Sequence, residues 1–258
     1  MNRSLNIGTI GGLTLGLISI FGSFLLEGGQ FGALILIPAM IIVFGGTFAA
    51  AMIGSGRGSM NRFFSLIGLV VRPPEYDTNR AIELLVRLSM MARKEGLLSL
   101  EREVENANID FLRRMMRLAI DGTEPHVLRA LAETEIHYAA DRHHEGAQMF
   151  QKMGGYSPTM GIIGTVMGLI ATLAAAGDDP NQLIHHIASA FVATLWGVLM
   201  ANIVWLPISD KLKLMHAEEQ RFAELIVEGV AAVQAGEIPT VVRARLDSML
   251  ARTQSATT

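Results

Sequence analysis

Apolar residues along the 258-residue chain gather in four long blocks, Leu5 to Leu26, Ala33 to Ile53, Pro158 to Ala176 and Ile187 to Ile208. None of the blocks contains Asp, Glu, Lys, Arg or His. A bilayer core about 30 Å thick is crossed by roughly 20 apolar residues in a helix rising about 1.5 Å each. Each block is therefore predicted to be a transmembrane helix. The first is too long for the apolar region of a secretory signal and meets the second after only Glu27 to Gly32, so it is expected to stay as an uncleaved span.

Between spans two and three the pattern turns amphipathic with helical spacing. Asp77 or Thr78 can cap a helix whose apolar positions Ile82, Leu84, Leu85, Leu88 and Met91 share one face, ending at Gly96. Ser99 can cap a short helix through Val104, and a third helix is expected from Ile109 to Ile120, before Asp121-Gly122. Pro125, after Thr123 and Glu124, can open a long helix through Met153 that feeds span three, because proline fits a first turn. Beyond span four, Lys211 to about Ala235 continues as helix, and Arg252 to Thr258 is expected to fray. No alternating strand pattern occurs. The predicted fold class is an all-α integral membrane protein, with four transmembrane helices and a helical cytoplasmic domain inserted between helices 2 and 3. Its segments are spans one and two (1–56), the cytoplasmic domain (57–156), spans three and four (157–210) and a C-terminal helix and tail (211–258).

Composition sharpens this picture. Only 17% of residues are charged, against about a quarter in a soluble domain, and the mean hydropathy is +0.38. Of the 21 Lys and Arg, Arg3 stands alone, fourteen lie from Arg57 to Lys152 and six from Lys211 to Arg252. Lys and Arg are retained on the cytoplasmic side, so both termini are expected in the cytoplasm, with Glu27 to Gly32 and Gly177 to His186 as small external loops. This distribution excludes a plain soluble enzyme and a nucleic-acid binder with a basic face. The absence of cysteine excludes disulfide scaffolds, thiolate metal sites and cysteine nucleophiles.

The uncharged spans bear directly on mechanism. Proteins that bind H⁺ or Na⁺ within the bilayer normally keep an Asp, Glu or His there. If this chain moves ions, another subunit must supply the carboxylate; the competing reading is a non-conducting membrane scaffold. What the chain itself offers at depth is hydroxyls, Thr165 in span three and Thr194 in span four, which can serve a carboxylate or a cation or simply back-bond to the carbonyl one turn earlier. Gly8, Gly12 and Gly16 in span one, Gly45/Gly46 in span two, Gly161, Gly164 and Gly168 in span three, and Gly197 in span four allow close helix approach, either as ordinary packing or as an oligomer interface. Pro158 opens span three and Pro207 closes span four, as punctuation or as a hinge.

Three further groups carry weaker signals. His137, His143, His144 and the external pair His185-His186 lack metal-ligand spacing. Gly54 to Gly58 lacks the Gly-Lys-Ser/Thr end of a phosphate loop and is expected to be a flexible exit from span two. Met90, Met91, Met115 and Met116 are expected to pack a core. No cofactor or metal is expected.

The run Tyr156 to Ile170 (YSPTMGIIGTVMGLI), with Ala190 to Gly197 (AFVATLWG), Leu206 to Leu212 (LPISDKL) and Ala92 to Glu101 (ARKEGLLSLE), resembles the flagellar motor stator A subunit, the MotA/PomA family. The resemblance runs from Leu5 to about Gln234. It implies a non-enzymatic homo-oligomer, a pentamer, around single-span B subunits that bind peptidoglycan and supply the ion-binding aspartate. Ion flow would turn the ring against the rotor switch protein FliG. By the same resemblance Pro158 and Pro207 are coupling prolines, Arg93 and Glu101 face the rotor, and Thr194 lies beside the ion path.

Weak exposed charges suit a contact that must form and release repeatedly, since such pairs are worth about 0–1 kcal/mol. One charge crossing about 100 mV releases about 2.3 kcal/mol, enough to drive such steps. Thr165 stands where sodium-driven relatives usually carry threonine, whereas Ala193 departs from their paired threonines; the expectation is Na⁺ ahead of H⁺. An ExbB/TolQ-type energiser is the related alternative, with three spans expected where this chain has four.

Overall fold

The computed structural model describes residues 6–174 and 180–255, and the side chains of these except residues 57, 180–183, 185 and 251–255. All regular elements among them are helical. The first is α1 (Ile7–Leu26), capped by the Asn6 side chain, which accepts from the Thr9 N–H at 3.0 Å. A 3₁₀ turn, Phe31–Leu34, precedes α2 (Ile37–Gly54), whose second turn, Ile41–Gly45, is π-helical. Two short helices follow, α3 (Arg57–Asn61) and α4 (Phe63–Val71). Next come α5 (Thr78–Glu95), α6 (Glu101–Glu105), α7 (Asp110–Ile120) and α8 (Pro125–Ala174). Then α9 (Pro180–Leu199) passes through a π-helical stretch, Met200–Trp205, into α10 (Leu206–Gln234), and α11 (Pro239–Ser255) ends the described chain.

Four of these stretches are long and apolar enough to cross a membrane, as expected. Their ends differ from the sequence reading where hydrogen bonding overrides composition. Span two starts only at Ile37, because Phe31–Leu34 takes the tighter 3₁₀ turn first. Span three has no start of its own: α8 runs unbroken for 50 residues, so Pro158 is internal. Span four and the tail are likewise one helical run from Pro180 to Gln234, broken only in register at Met200–Trp205. The expectations for Leu5, Ala175 to Asp179 and Ala256 to Thr258 lie outside the described residues, and the described part of the expected loop Gly177 to His186, from Pro180 on, is helical instead. Within the terminal segment expected to fray, helix extends as far as Ser255.

The chain forms two compact units. One comprises Pro74–Arg142 with Met215–Thr258, and its core joins α5, α7, α8, α10 and α11 through fully buried Leu85, Leu112, Leu128, Ile226 and Leu246. Each such side chain contributes about 1.5–3 kcal/mol of burial. Asp77 caps α5 by accepting from the Arg80 N–H at 3.0 Å, and Gly96 ends it with φ +84°, a conformation that favours glycine. Ser99 does not cap the next helix: its hydroxyl donates backwards to the Gly96 carbonyl at 2.7 Å, and Leu97–Leu100 is a 3₁₀ turn. Met115 and Met116 are buried as expected, while Met90 is exposed.

The other unit comprises Ser4–Pro73 with His143–Leu214 and holds all four apolar spans. Phe63, Val70, Phe150, Met153, Trp205 and Leu212 form one of its cores. Ala39, Val43, Val192 and Ala193 form another. The segment after span two is an ordered corner and not a flexible exit, since α3 begins within it and the Lys152 ammonium donates to the Gly54 carbonyl.

Candidate functional site

Glycines set the distance between α8 and α9. A Cβ added to Gly161 would lie 2.9 Å from the Ala193 carbonyl oxygen and 3.1 Å from the Thr194 Cα, and one added to Gly197 would lie 2.7 Å from the Ser157 oxygen. At Gly164 and Gly168 the added atom would meet the Cβ atoms of Ala193 at 2.7 Å and Ala190 at 2.9 Å. Spacing of three and four residues places Gly161, Gly164 and Gly168 on one face of α8, and at Gly161 and Gly197 the two main chains touch with no side chain between them. The close-approach motif predicted for spans three and four is thus used within a single chain. The glycines of span one behave differently. Among the described residues Gly12 has nothing within 4 Å, Gly16 meets only Ile203, and no residue of α1 is buried.

This approach brings the two threonines together. The hydroxyl of Thr165 lies 3.1 Å from the Gly161 carbonyl oxygen and 3.0 Å from the Ala190 carbonyl oxygen, and it is in hydrogen-bond contact with the Thr194 hydroxyl. Thr165 has one proton to donate, shared between the two carbonyls, which leaves its oxygen free to accept from Thr194. Back-bonding to the previous turn and pairing across the helices therefore occur together. The cluster contains two hydroxyl oxygens and two main-chain carbonyl oxygens, all uncharged, with both threonines half-buried. Hard cations take oxygen donors of this kind, but a set without a carboxylate has no charge to offset the cost of dehydrating one.

Next to it, Trp196 anchors span four. Its indole N–H donates to the Leu34 carbonyl at 2.8 Å, and its ring lies 6.2 Å from that of Phe21 and 5.9 Å from that of Phe44. The sequence held this tryptophan in the motif, but its partner lies 162 residues away and left no pattern to find.

The two prolines sit at different kinds of irregularity. Pro158 lies inside α8, where it can donate no bond to the carbonyl of Gly154, one turn earlier. The adjacent Ser157 is fully buried, and its hydroxyl has no hydrogen-bond partner among the described residues. Pro207 comes one residue after the π-helical stretch Met200–Trp205, and Ser209 beyond it donates to the Ala147 carbonyl at 2.9 Å, tying α10 to α8. π-Turns were invisible in the apolar sequence because they leave the hydropathy pattern unchanged.

In the other unit Arg93 and Glu101 are both exposed on either side of Gly96 and belong to no ion pair among the described residues. The neighbouring Arg87 and Glu103 pair with each other at 3.5 Å instead. A network not foreseen from the sequence holds α11: Glu228 accepts from Arg245 at 2.6 Å and pairs with Arg129 at 3.0 Å, while Arg245 also donates to Glu237 at 2.8 Å. Burial pushes the Glu228 carboxyl up, but hydrogen bonds and charge from Arg245 and Arg129 outweigh it and hold the group below its ordinary value. Tyr76, packed on Phe222 with ring centroids 5.1 Å apart, has its phenol pushed up by burial and then by Glu219 and Glu218.

Of the histidines, His137 lies 3.5 Å from Asp141 and His144 is 2.8 Å from Gln148, each engaged one turn further along α8. The side chain of His185 lies outside the described residues.

Comparison with known proteins agrees along nearly the whole chain. The MotA/TolQ/ExbB proton channel family matches residues 103–225, and Motility protein A N-terminal matches residues 10–96. Motility protein A of Bacillus subtilis (strain 168) is 32% identical over 236 residues, covering 91% of this chain and 87% of that protein. Among solved structures, C. jejuni MotAB superposes with a TM-score of 0.89 at 25% identity, covering 95% of this chain and 96% of the other. The flagellar MotAB stator complex of Bacillus subtilis superposes at 0.86 with 32% identity, covering 92% and 93%.

Proposed function

This chain belongs to the MotA/TolQ/ExbB proton channel family, and from that premise we propose that it is the A subunit of a flagellar motor stator, a multi-pass protein of the bacterial inner membrane. The observation that carries the reading is the hydroxyl pair Thr165–Thr194 between spans that hold no ionisable group. Such a site can guide an ion but cannot titrate or bind it alone, so its function requires a carboxylate from a second subunit. The likeness to two MotAB structures supports a single-span B subunit in that role.

In this reading residues 1–56 and 157–210 form the membrane part, residues 57–156 the rotor-interacting part and 211–258 the tail, with both termini cytoplasmic. A ring of five copies surrounds the B subunits. Ion passage alters the helix pair α8–α9, and Pro158 and Pro207 let the altered geometry reach the cytoplasmic helices. Arg93 and Glu101, exposed and in no ion pair among the described residues, then meet the switch protein FliG. We take the coupling ion to be sodium, because Thr165, Thr194 and the Ala190 carbonyl offer oxygens that can replace hydration ligands, which a proton does not need.

The test is swimming speed of a strain carrying this protein as its only A subunit, measured against external Na⁺ at fixed pH. Speed that rises and saturates with Na⁺ is expected. Unchanged speed on sodium removal overturns the sodium assignment, and a deletion strain that swims normally overturns the stator reading.

A further inference from the structure

Helix α4 was not anticipated from the sequence, and its position is unusual. The segment Ser55 to Arg72 carries Arg57, Arg62 and Arg72 and no acidic residue. One face of α4, Phe63, Leu66, Ile67 and Val70, packs into the core with Phe150, Met153 and Trp205. The opposite side exposes Phe64 at 83%, together with Ser65 and Gly68, and exposed Arg62 and Arg72 bracket the helix. Neither arginine is in an ion pair among the described residues.

Both ends of α4 are tied to ends of spans. At its start, the ring of Phe63 lies edge-on to Phe48 in the last turns of span two, at 5.6 Å. At its finish, the Val71 carbonyl accepts from the N–H of Asn6, the capping residue of span one, at 3.2 Å. A nine-residue helix is about 13 Å long, and one that joins the same-side ends of two spans runs along the bilayer surface.

We propose that the outer face of α4 docks on the bilayer itself, with Phe64 inserted among the acyl chains and Arg62 and Arg72 bound to the phosphates of anionic phospholipids. The cationic ends complement the negative surface, and the exposed phenylalanine supplies the apolar anchor that interfacial helices need. The docking fixes the level at which spans one and two leave the membrane. The proposal rests on the membrane reading of the four spans, and the following experiment separates the two.

The chain contains no cysteine, so single cysteines introduced into the full chain can be spin-labelled uniquely. Labels at Ser65→Cys and Gly68→Cys, positions that are exposed in α4, report depth through relative accessibility to oxygen and to a water-soluble nickel complex. Ile41→Cys serves as the reference within a span, and Asp121→Cys as the aqueous one. The protein is reconstituted in vesicles of phosphatidylcholine alone or with phosphatidylglycerol. Labels in α4 are expected at headgroup depth, with phosphatidylglycerol enriched over phosphatidylcholine around them about fivefold per arginine, the equivalent of about 1 kcal/mol each. Arg62→Gln with Arg72→Gln removes the enrichment, Phe64→Ser raises the labels towards water, and inorganic phosphate does not compete. Labels in α4 as water-accessible as the one at Asp121→Cys overturn the proposal, as does indifference to lipid charge. An aqueous reading at Ile41→Cys overturns the membrane reading beneath it.

Discussion

The hydroxyl of Thr194 meets that of Thr165 across two helices whose main chains touch at Gly161 and Gly197, so the pair is held by backbone packing and not by long side chains. Replacing Thr194 by serine keeps the hydroxyl and is expected to preserve motility. Thr194→Val keeps the shape and removes the ligand, and ion-driven current is expected to fall about tenfold, as for one lost hydrogen-bonding contact worth about 1.4 kcal/mol. Single-motor rotation with the two variants, at equal membrane abundance, checks this.

Adding a methyl group to the helix contact is expected to cost more than adding one elsewhere. Gly197→Ala would drive a Cβ to 2.7 Å from the Ser157 carbonyl oxygen, a main-chain atom that cannot swing away. A loss of about 1–3 kcal/mol follows from overpacking. Gly12→Ala in span one meets nothing within 4 Å and is expected to stay within about 0.5 kcal/mol of the parent. Thermal unfolding in detergent distinguishes the two.

Charge reversal at Arg93 or Glu101 is expected to impair rotation without weakening the fold. Both are exposed and outside any ion pair among the described residues, so unfolding should shift by no more than about 0.5 kcal/mol. The same change at Arg87, which pairs with Glu103, serves as a control for loss of an internal surface contact. A large fall in melting temperature for Arg93→Glu would contradict an interaction role.

The Glu228 network predicts an acid-sensitive attachment of α11. Its carboxyl lies below the ordinary value of 4.5 in the folded chain, so its contribution is complete above that value. It is lost progressively as pH falls through the lower folded value, because the unfolded chain then binds more protons. Hydrogen exchange in Pro239–Ser255 should therefore quicken on acidification, and Glu228→Gln should flatten that dependence while loosening α11 at neutral pH.

Hydropathy alone located the four spans, since an uncharged stretch as long as Leu5 to Leu26 has few alternatives in water. Local rules also served well where the determinant was local: Asp77 caps α5, Gly96 ends it and Pro125 opens α8. What escaped depended on distant partners or on register. The bond from Trp196 to Leu34, the π-turn before Pro207 and the seating of Phe63 against Trp205 leave no periodic trace. Thr165 and Thr194 could be singled out as hydroxyls at depth, but their contact required knowing that Gly161 faces Gly197.

That facing pair of glycines determines more than proximity. Where main chain meets main chain, and where elsewhere along the contact only the Cβ atoms of Ala190 and Ala193 intervene, there are no rotamers to freeze, so the geometry does not blur as side chains exchange positions. The two hydroxyls are then held in contact by the spacing of the backbones, with only the χ1 rotamer of each threonine between them. Substitution of side chains that do not line this joint is then expected to leave the Thr165–Thr194 contact in place, whereas a methyl group on either glycine displaces it.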